Sequence, residues 1–265
     1  MKQIGVFFKK WWLLLAIIVV IGALVLFNMV GYRVGPGLSI VRVGTLVITD
    51  LPENASIYVD EAYNRRVTGG IARVSLLPGS HTVIVSVDGY YPWSELVEIT
   101  SDAETTERPI IIPTKTNAVE LEGEAVTAAR TKINTTRLPS AFAPLSMEGG
   151  CAQISVSGNR ILATPTTTPE CVPPPYLCVD GSCEATVVFA PLEPIHTVLP
   201  YPGRSDALIV GVKQRLFVLE IDPRYPGFFA ELVRGGKDTI TPRAATSTDH
   251  SLVTIVGEKV YGISL

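Results

Sequence analysis

A run of apolar residues near the N-terminus, residues 11–30, constrains the fold of this chain more than any other feature. Eighteen of these twenty residues are apolar, the exceptions being Gly22 and Asn28. At about 1.5 Å per residue a helix of this length spans about 30 Å, the thickness of a bilayer's hydrocarbon core. Trp11, Trp12 and Tyr32 stand where interfacial aromatic belts lie. We therefore predict a transmembrane helix over residues 11–31.

The alternative for this run is a cleaved signal peptide. Its apolar region would have about 7–15 residues and would precede a cleavage site of small residues. The run here is longer, and residues 27–30 (Phe-Asn-Met-Val) offer no such site. An uncleaved anchor is therefore the prediction.

The charges around the run predict its orientation. Lys2, Lys9 and Lys10 precede it, and the first thirty residues contain no acid. Basic residues stay on the cytoplasmic side, so residues 1–10 form a cytoplasmic tail and the remainder lies outside the cytoplasm. The remainder carries 22 − 3 = 19 basic against 25 acidic residues. The expected location is the cytoplasmic membrane, with one span and extracytoplasmic domains.

Composition excludes three other classes of protein. A net charge of −3 is wrong for a strongly basic nucleic-acid binder, so no nucleic-acid partner is expected. A hydrophobic content of 47% excludes a disordered chain. A polytopic membrane protein would need a second long apolar run, which the sequence lacks.

The four cysteines predict disulfides. Cys151, Cys171, Cys178 and Cys183 fall within one short window of the exported part. An even number on the oxidising side favours two disulfides, with three connectivities open. Zinc binding is the rival, but the window has no Cys-x-x-Cys pair and no histidine. Free buried thiols are the remaining alternative.

After the apolar run, the sequence predicts first a stalk and then a series of strands. Residues 32–43 form the predicted stalk, rich in glycine near its start. Strands are predicted over 46–49, 57–59, 81–87, 95–100 and 109–112, from β-branched content and alternation. Since no window shows a helical period, residues 44–113 are expected to form an all-β unit.

Two blocks of this segment carry a family resemblance. Residues 51–55 (Leu-Pro-Glu-Asn-Ala) lead into 57–60 (Ile-Tyr-Val-Asp), and residues 76–81 (Leu-Leu-Pro-Gly-Ser-His) precede Gly89-Tyr90. The double block resembles the PEGA domain. The matching positions, which we expect to be structural, are Pro52, Glu53, Asn54, Ala55, Pro78, Gly79, Gly89 and Tyr90. The resemblance implies a β-sandwich and a surface-associated role in contact with carbohydrate or other envelope components.

The sequence departs from the family pattern at turns. Asn54 stands where the name-giving motif has glycine, Glu61 replaces the usual glycine after Asp60, and Thr68-Gly69 replaces Thr-Pro. Asparagine tolerates positive φ, so the first turn is expected to persist. Pro78-Gly79 fits a type II turn.

Three further side chains of this segment have structural expectations. Tyr90 and Trp93 are expected to cover the core rather than bind ligand, because a small sandwich is short of apolar volume. His81 is expected to make a structural hydrogen bond.

The segment 114–149 is predicted to be a linker. Residues 117–132 have the pattern of a marginal helix interrupted by Gly123, and 135–150 are rich in proline, serine, alanine and glycine.

The last segment, 150–265, contains a repeated hairpin pattern. Residues 212–221 and 256–265 share a polar turn, a basic residue and alternating apolar positions, and 158–163 form a weaker copy. The spacing resembles that of propeller blades of the WD40 or kelch kind. Closure needs four blades and the segment holds three at most. We expect either a compact β-domain of propeller-like hairpins or one completed by a second copy or a partner.

Motifs for chemistry are sparse. Asp249-His250-Ser251 has the residue types of a triad, but neighbours on a strand face opposite ways, so a polar turn is the better interpretation. The acids Asp102, Glu104, Glu107, Glu120, Glu122 and Glu124 fit a solvated face better than a calcium loop. Paired carboxylates for glycoside hydrolysis depend on geometry and stay open. We predict no catalytic, cofactor or metal site and no enzyme.

Together these patterns predict a mainly β protein with one N-terminal transmembrane helix, a PEGA-like β-sandwich and a second all-β domain. The expected function is a membrane-anchored binding or structural protein of the cell envelope, contacting glycan or surface protein. The alternative is a subunit of a membrane-bound assembly whose C-terminal β-domain docks on a partner.

Overall fold

The protein is mainly β in the computed structural model. The structure describes residues 2–29, 31–34, 39–147, 151–167, 171–178, 181–235, 243–246 and 251–265. The chain forms two compact units that alternate along the sequence. The first comprises Met1–Glu53, Val67–His81 and Val97–Pro109, and the second comprises Asn54–Arg66, Thr82–Leu96 and Ile110–Leu265. The PEGA-like segment therefore contributes residues to both units.

The first unit begins with helix α1 (Lys2–Met29), which contains nearly all of the apolar run. Its described apolar side chains, among them Trp12, Ile18 and Leu26, are largely exposed. Over the described residues, no helix meets the length and hydropathy required to cross a membrane. The predicted span therefore stays a prediction.

A two-stranded hairpin follows α1. Strand β1 (Tyr32–Val34) pairs antiparallel with β2 (Ile40–Arg42). The backbone N–H of Val43 donates to the carbonyl of Gly31 at 2.9 Å and closes the base of the hairpin. The predicted stalk over 32–43 therefore contains two paired strands, which β-branched side chains favour.

The first unit also contains a three-stranded sheet in the order β6-β3-β9. Its strands are β3 (Gly44–Leu51), β6 (Gly70–Leu76) and β9 (Glu104–Glu107). Strand β3 is antiparallel to β6 and parallel to β9. The prediction found the centre of β3 but missed β6 and β9. Glu104 and Glu107, expected in a loop, are ordered by the pairing with β3.

A four-stranded sheet in the order β5-β4-β7-β8 completes the PEGA-like segment. Its strands are β4 (Ser56–Val59), β5 (Ala62–Arg66), β7 (Gly79–Ser86) and β8 (Trp93–Ile99). The strands predicted at 57–59, 81–87 and 95–100 are therefore confirmed. The strand predicted at 109–112 is absent: Ile110 and Ile112 are buried, but pairing is limited to a bridge between Tyr90 and Pro113.

The turn between β4 and β5 explains one departure from the family pattern. Asp60 and Glu61 form a two-residue connection with φ of 49° and 64°. Positive φ at both positions is the type I′ geometry, which favours glycine second. Asp60 is fastened to β7, since its Oδ1 accepts from the N–H of Thr82 at 3.0 Å. Asn54 also has positive φ, 63°, as predicted.

Replacing Glu61 with glycine should stabilise the protein. Glycine removes the Cβ that disfavours the left-handed conformation, and the net gain should be about 0.5–1 kcal/mol after its larger unfolded-state entropy. Urea denaturation of the detergent-solubilised chain, followed by circular dichroism, measures the change. Glu61→Ala is the matched control, since it removes the charge but keeps the Cβ. An equal gain from alanine would contradict the backbone explanation.

The predicted linker 114–149 contains two ordered elements. Strand β10 (Ala118–Glu120) pairs with β21 (Lys259–Ser264), the last strand of the chain. Helix α2 (Glu124–Thr135) starts after Gly123 and buries Ala129 and Ile133. The segment predicted as a linker therefore contains a strand and a helix, and the helix expected over 117–132 forms only after Gly123. Gly123 separates a strand from a helix, because its φ of 60° suits glycine and ends the extended conformation.

Three four-stranded antiparallel sheets make up the rest of the second unit. Sheet 1 contains β11 (Leu145–Ser146), β12 (Ala152–Ser157), β13 (Arg160–Pro165) and β14 (Thr186–Phe189). Sheet 2 contains β15 (Ile195–Pro200), β16 (Ala207–Val212), β17 (Arg215–Glu220) and β18 (Phe229–Arg234). Sheet 3 contains β19 (Arg243–Thr246), β20 (Ser251–Val256), β21 and β10.

The predicted repeat corresponds to the central hairpin of each sheet. These hairpins are β12–β13, β16–β17 and β20–β21, and each second strand begins with a basic residue, Arg160, Arg215 or Lys259. The described strands nevertheless close neither a barrel nor a propeller. Sheet 3 takes its fourth strand, β10, from an earlier part of the same chain.

Sheets 1 and 2 share one hydrophobic core. Sheet 1 contributes Ile154 and Ile161, and sheet 2 contributes Leu208, Val210 and Leu219, all of them buried. All six positions of β16 are buried, which is typical of a strand covered on both faces.

Candidate functional site

The motif residues shared with the PEGA domain lie at turns and at one core position. Ala55 is completely buried, whereas Glu53, Asn54, Pro78, Gly79, Gly89 and Tyr90 are exposed and Pro52 is half-buried. Gly79 and Gly89 have φ of 132° and 84°. The Tyr90 side chain is 38% exposed and its backbone forms a bridge to Pro113, so the expected role as a core cover stays a prediction. The positive φ values of Gly79 and Gly89 suit glycine at turns.

The four cysteines form two disulfides, Cys151–Cys171 and Cys178–Cys183. This confirms pairing and selects one of the three connectivities. Leu177, in a 3₁₀ turn (Pro175–Leu177) between the two bonds, is buried in the core shared by sheets 1 and 2. The disulfides therefore hold the segment that carries Leu177 against that core.

Trp93 connects the PEGA-like segment to sheet 2. Its side chain is completely buried, as predicted, and its Nε1–H donates to Oε1 of Glu220 at 2.8 Å. Glu220 ends β17 and is itself buried. A buried carboxylate needs charged or hydrogen-bonding partners, and the indole supplies one of them.

A cluster of buried and half-buried charges surrounds this contact. We call Arg204, Asp206, Glu220, Asp222 and Arg224 the ionic cluster. Arg204 donates to both carboxylate oxygens of Asp206 at 2.7 Å and lies 3.3 Å from Oε1 of Glu220. Burial opposes the charge of Arg204, but the carboxylates of Asp206, Glu220 and Glu95 outweigh it and raise the pKa of the guanidinium. The cluster is therefore a set of charges paired in a fixed arrangement.

Arg224, the other arginine of the ionic cluster, connects the cluster to β8. Arg224 pairs with Asp222, with 2.6 Å between Nη2 and Oδ2, and Nη2 also donates to the carbonyl of Leu96 at 2.9 Å. Its guanidinium lies 5.6 Å from the centre of the Tyr176 ring. Burial, with help from nearby carboxylates, raises the pKa of Tyr176 well above its usual range, so the phenol stays neutral.

A groove of about 200 Å³ opens beside the ionic cluster. We call it the aromatic groove; Phe189, Glu220, Arg224, Tyr225 and Phe229 are among its lining residues. The Phe229 ring stacks on Phe217 at 4.5 Å between centroids and faces Phe189 at 5.9 Å. Tyr225 is 91% exposed. Pockets that bind ligands are typically lined by apolar side chains with a few polar groups, and this groove has such a lining.

A second exposed surface lies on the PEGA-like segment. All five residues of β5 are exposed, including Tyr63, Arg65 and Arg66. Tyr63 pairs across the strands with Tyr58, and their rings meet edge to face at 5.6 Å. Arg66 pairs with Ser56 and therefore shares the face of Tyr58, whereas Arg65 pairs with Ile57 on the other face. We call Tyr58, Tyr63 and Arg66 the hairpin surface. It combines an aromatic face with guanidinium donors, which suits polar polymers and anions.

The histidines have structural roles where they are described. Nε2 of His81 lies 2.7 Å from the carbonyl of Leu77, as expected for a structural hydrogen bond. Nε2 of His196 donates to the carbonyl of Lys213 at 3.0 Å, and a Cβ on Gly211 would come within 2.3 Å of the His196 ring. Asp249 and His250, the two acid–base members of the triad-like sequence, lie outside the described residues.

Acid is expected to destabilise the fold through His196. Burial lowers its pKa below the usual 6.5, and the hydrogen bond to Lys213 opposes this only in part. The unfolded chain therefore binds a proton more readily, so stability falls as pH drops below about 6.5, until the folded-state pKa is reached. Thermal unfolding between about pH 7.5 and pH 5 measures this. His196→Gln should show a smaller acid-induced fall; an equal fall would assign the effect to other groups.

Among the residues that the structure describes, no three His, Cys, Asp or Glu side chains are placed to hold a metal ion. Of the acids singled out in the sequence, Glu120 pairs with Lys259 at 2.8 Å and Asp102 pairs with Arg42 at 2.6 Å. The sequence patterns did not predict the aromatic groove or the ionic cluster. The sequence does show the aromatic pair Phe228-Phe229 and the charges around 220–224. It gives no sign that this region meets Trp93.

Comparison with known proteins gives one family match. Residues 43–113 match the PEGA domain, in agreement with the resemblance and with the strands β3 to β9. No curated protein matches the chain significantly. A similar solved structure is that of a candidate membrane-associated protein of unknown function from Bacteroides fragilis. It is 11% identical, with 83% of this chain and 97% of that chain covered and a TM-score of 0.22, too low to support any argument. The chain therefore contains one segment, residues 43–113, that matches the PEGA domain.

Proposed function

We propose that the protein is a membrane-anchored extracytoplasmic binding protein of the cell envelope, in which the PEGA domain contacts surface or cell-wall components. The observation that carries the binding role is the hairpin surface. It lies within the family-matched segment, and its strand β5 is exposed at every position. Tyrosine rings stack on apolar sugar faces, and arginines donate to the oxygens of polar or anionic polymers.

The proposed anchor is α1, with its N-terminus in the cytoplasm. The apolar run and the lysines before it support this orientation. Exposed apolar side chains at Leu15, Val19 and Ile21 support it as well, because a helix that is apolar around its circumference is stable when lipid or protein covers it. The two disulfides suit an oxidising compartment. Protease protection in membrane vesicles tests the orientation.

The proposed role is binding and not catalysis. The carboxylates that converge around Trp93 are paired with arginines, which favours a structural role for them over proton transfer.

Co-sedimentation with isolated peptidoglycan sacculi tests the first function, using the full chain in detergent. We expect retention of the unmodified protein and a severalfold loss on combining Tyr63→Ser with Arg66→Ser. Tyr225→Ser is the matched control, since it removes an exposed tyrosine from the aromatic groove. Retention that survives the hairpin-surface change would count against the PEGA domain as the contact.

The second candidate function is a subunit of a membrane-bound assembly, and the aromatic groove favours it. Its exposed Tyr225 and Phe229 present apolar surface that a partner protein would cover. Crosslinking in native membranes distinguishes the two functions. A protein partner that is lost with Tyr225→Ser and kept with Tyr63→Ser would support the assembly and argue against the glycan contact.

A further inference from the structure

The hairpin β1–β2 carries an exposed apolar pair immediately after α1. Val34 and Ile40 are cross-strand partners, so their side chains share one face. They are 58% and 64% exposed. Contiguous exposed apolar surface bordered by polar residues can mark a contact with protein or membrane.

The chain ties this hairpin closely to the end of α1. Val34 follows Met29 by five residues, which reach at most about 17 Å when extended. The Tyr32 ring stacks on Phe27 of α1 at 5.2 Å between centroids. The headgroup layer is about 5–8 Å thick on each side, so a residue within this distance of a membrane span is able to reach it.

The hairpin is also held to the rest of the first unit. The Arg42 guanidinium lies 5.2 Å from the centre of the Tyr32 ring and 2.6 Å from Oδ2 of Asp102. The hydroxyl of Ser101 donates to the carbonyl of Arg42 at 3.1 Å. The hairpin is thus part of a structured connection between α1 and β3, not a free tether.

The charge of the segment suits a phospholipid surface. Residues 31–42 contain Arg33 and Arg42 and no acid, and Arg33 is exposed. Basic residues next to a membrane are attracted to anionic headgroups, and apolar neighbours enter the boundary with the acyl chains.

We propose that the hairpin β1–β2 is a lipid-contacting foot: Val34 and Ile40 enter the headgroup layer, and Arg33 lies against the phosphates. This rests on the proposed membrane anchor and adds to it a second contact, which fixes the first unit against the bilayer. The occupant is the phospholipid surface rather than cell-wall polymer or a protein.

The test places an environment-sensitive fluorophore on the hairpin. Both disulfides occupy the native cysteines, so Ile40→Cys introduces one reactive thiol into the full chain. The protein is labelled with NBD without reductant and reconstituted into phosphatidylethanolamine–phosphatidylglycerol vesicles. We expect blue-shifted emission that lipids carrying a nitroxide near the headgroup quench.

Ile71→Cys is the matched control. Ile71 is also an isoleucine in the first unit, with 63% exposure. It lies on β6 at the end of β3 opposite to the hairpin, since Gly70 pairs with Leu51 and Leu76 with Gly44. Seven residue steps of about 3.3 Å separate these ends by roughly 23 Å. Its label should emit as in water and escape quenching.

The outcomes separate the foot from the anchor. If protein resists alkaline extraction but the two labels behave alike, the foot is wrong and the anchor stands. If alkaline extraction releases the protein, both proposals fall. If Ile40→Cys misfolds, a label on Val34→Cys reports on the same face. Combining Val34→Cys with Ile40→Asp should abolish the blue shift of that label. A blue shift without quenching by the lipid nitroxide would indicate a protein contact and overturn the proposal.

Discussion

Replacing Trp93 with alanine is expected to lower the free energy of unfolding by about 3–5 kcal/mol, the range for a large buried aromatic side chain. Trp93 is completely buried and its indole N–H donates to the buried carboxylate of Glu220. Stabilities of single domains are about 5–15 kcal/mol, so the variant should unfold at markedly lower urea concentration. Far-UV circular dichroism of the detergent-solubilised chain measures the loss.

Two conservative variants separate the hydrogen bond from the packing. Trp93→Phe keeps most of the ring but removes the donor, and should cost about 1.5–3 kcal/mol because the acceptor is charged and buried. Trp12→Phe is the matched control, at an exposed position of α1. The double variant with Glu220→Gln should cost less than the sum of the single changes. Additive effects, or a Trp93→Phe cost as small as that of Trp12→Phe, would contradict the assigned contact.

Removing the Cys151–Cys171 disulfide is expected to cost about 3 kcal/mol, against about 2 kcal/mol for Cys178–Cys183, from the entropy of loop closure. The first bond closes a loop with a sequence separation of 20 and the second one with a separation of 5. Paired serine substitutions and urea denaturation under oxidising conditions measure both losses.

Reductant supplies the control for the disulfide experiment. It should destabilise the unmodified protein and have little further effect on a variant lacking both bonds. Peptide mapping without reduction should recover Cys151 joined to Cys171. A peptide joining Cys151 to Cys178 or Cys183 would contradict the connectivity, and equal costs for the two bonds would contradict the loop-length argument.

Local patterns predicted the elements whose stability is local. The alternation of Val83 and Val85 was enough to predict β7, and both residues are buried. The turn at Asn54 followed from the tolerance of asparagine for positive φ. The hairpins β12–β13, β16–β17 and β20–β21 were predictable because a short turn joins strands that are adjacent in sequence.

Elements that depend on distant partners were missed. Strand β9 contains two glutamates and two threonines, and it becomes a strand through its parallel pairing with β3. Strand β10 has three exposed residues and is ordered by β21, at the far end of the chain. A short polar segment has almost no sequence pattern that indicates pairing with a distant strand. The residues of β9 and β10 were therefore predicted to be loop or linker.

The sequence by itself determined the apolar N-terminal helix, the match to the PEGA domain over 43–113 and the presence of disulfides in the cysteine window, because each depends on residue types at close spacing. Only the tertiary structure decided which cysteines pair, that β10 completes sheet 3, and that Trp93 meets Glu220 across 127 positions of the chain. The reason is physical. Buried side chains are paired by packing and charge in the folded chain, and these depend on distance in space and not on separation along the sequence.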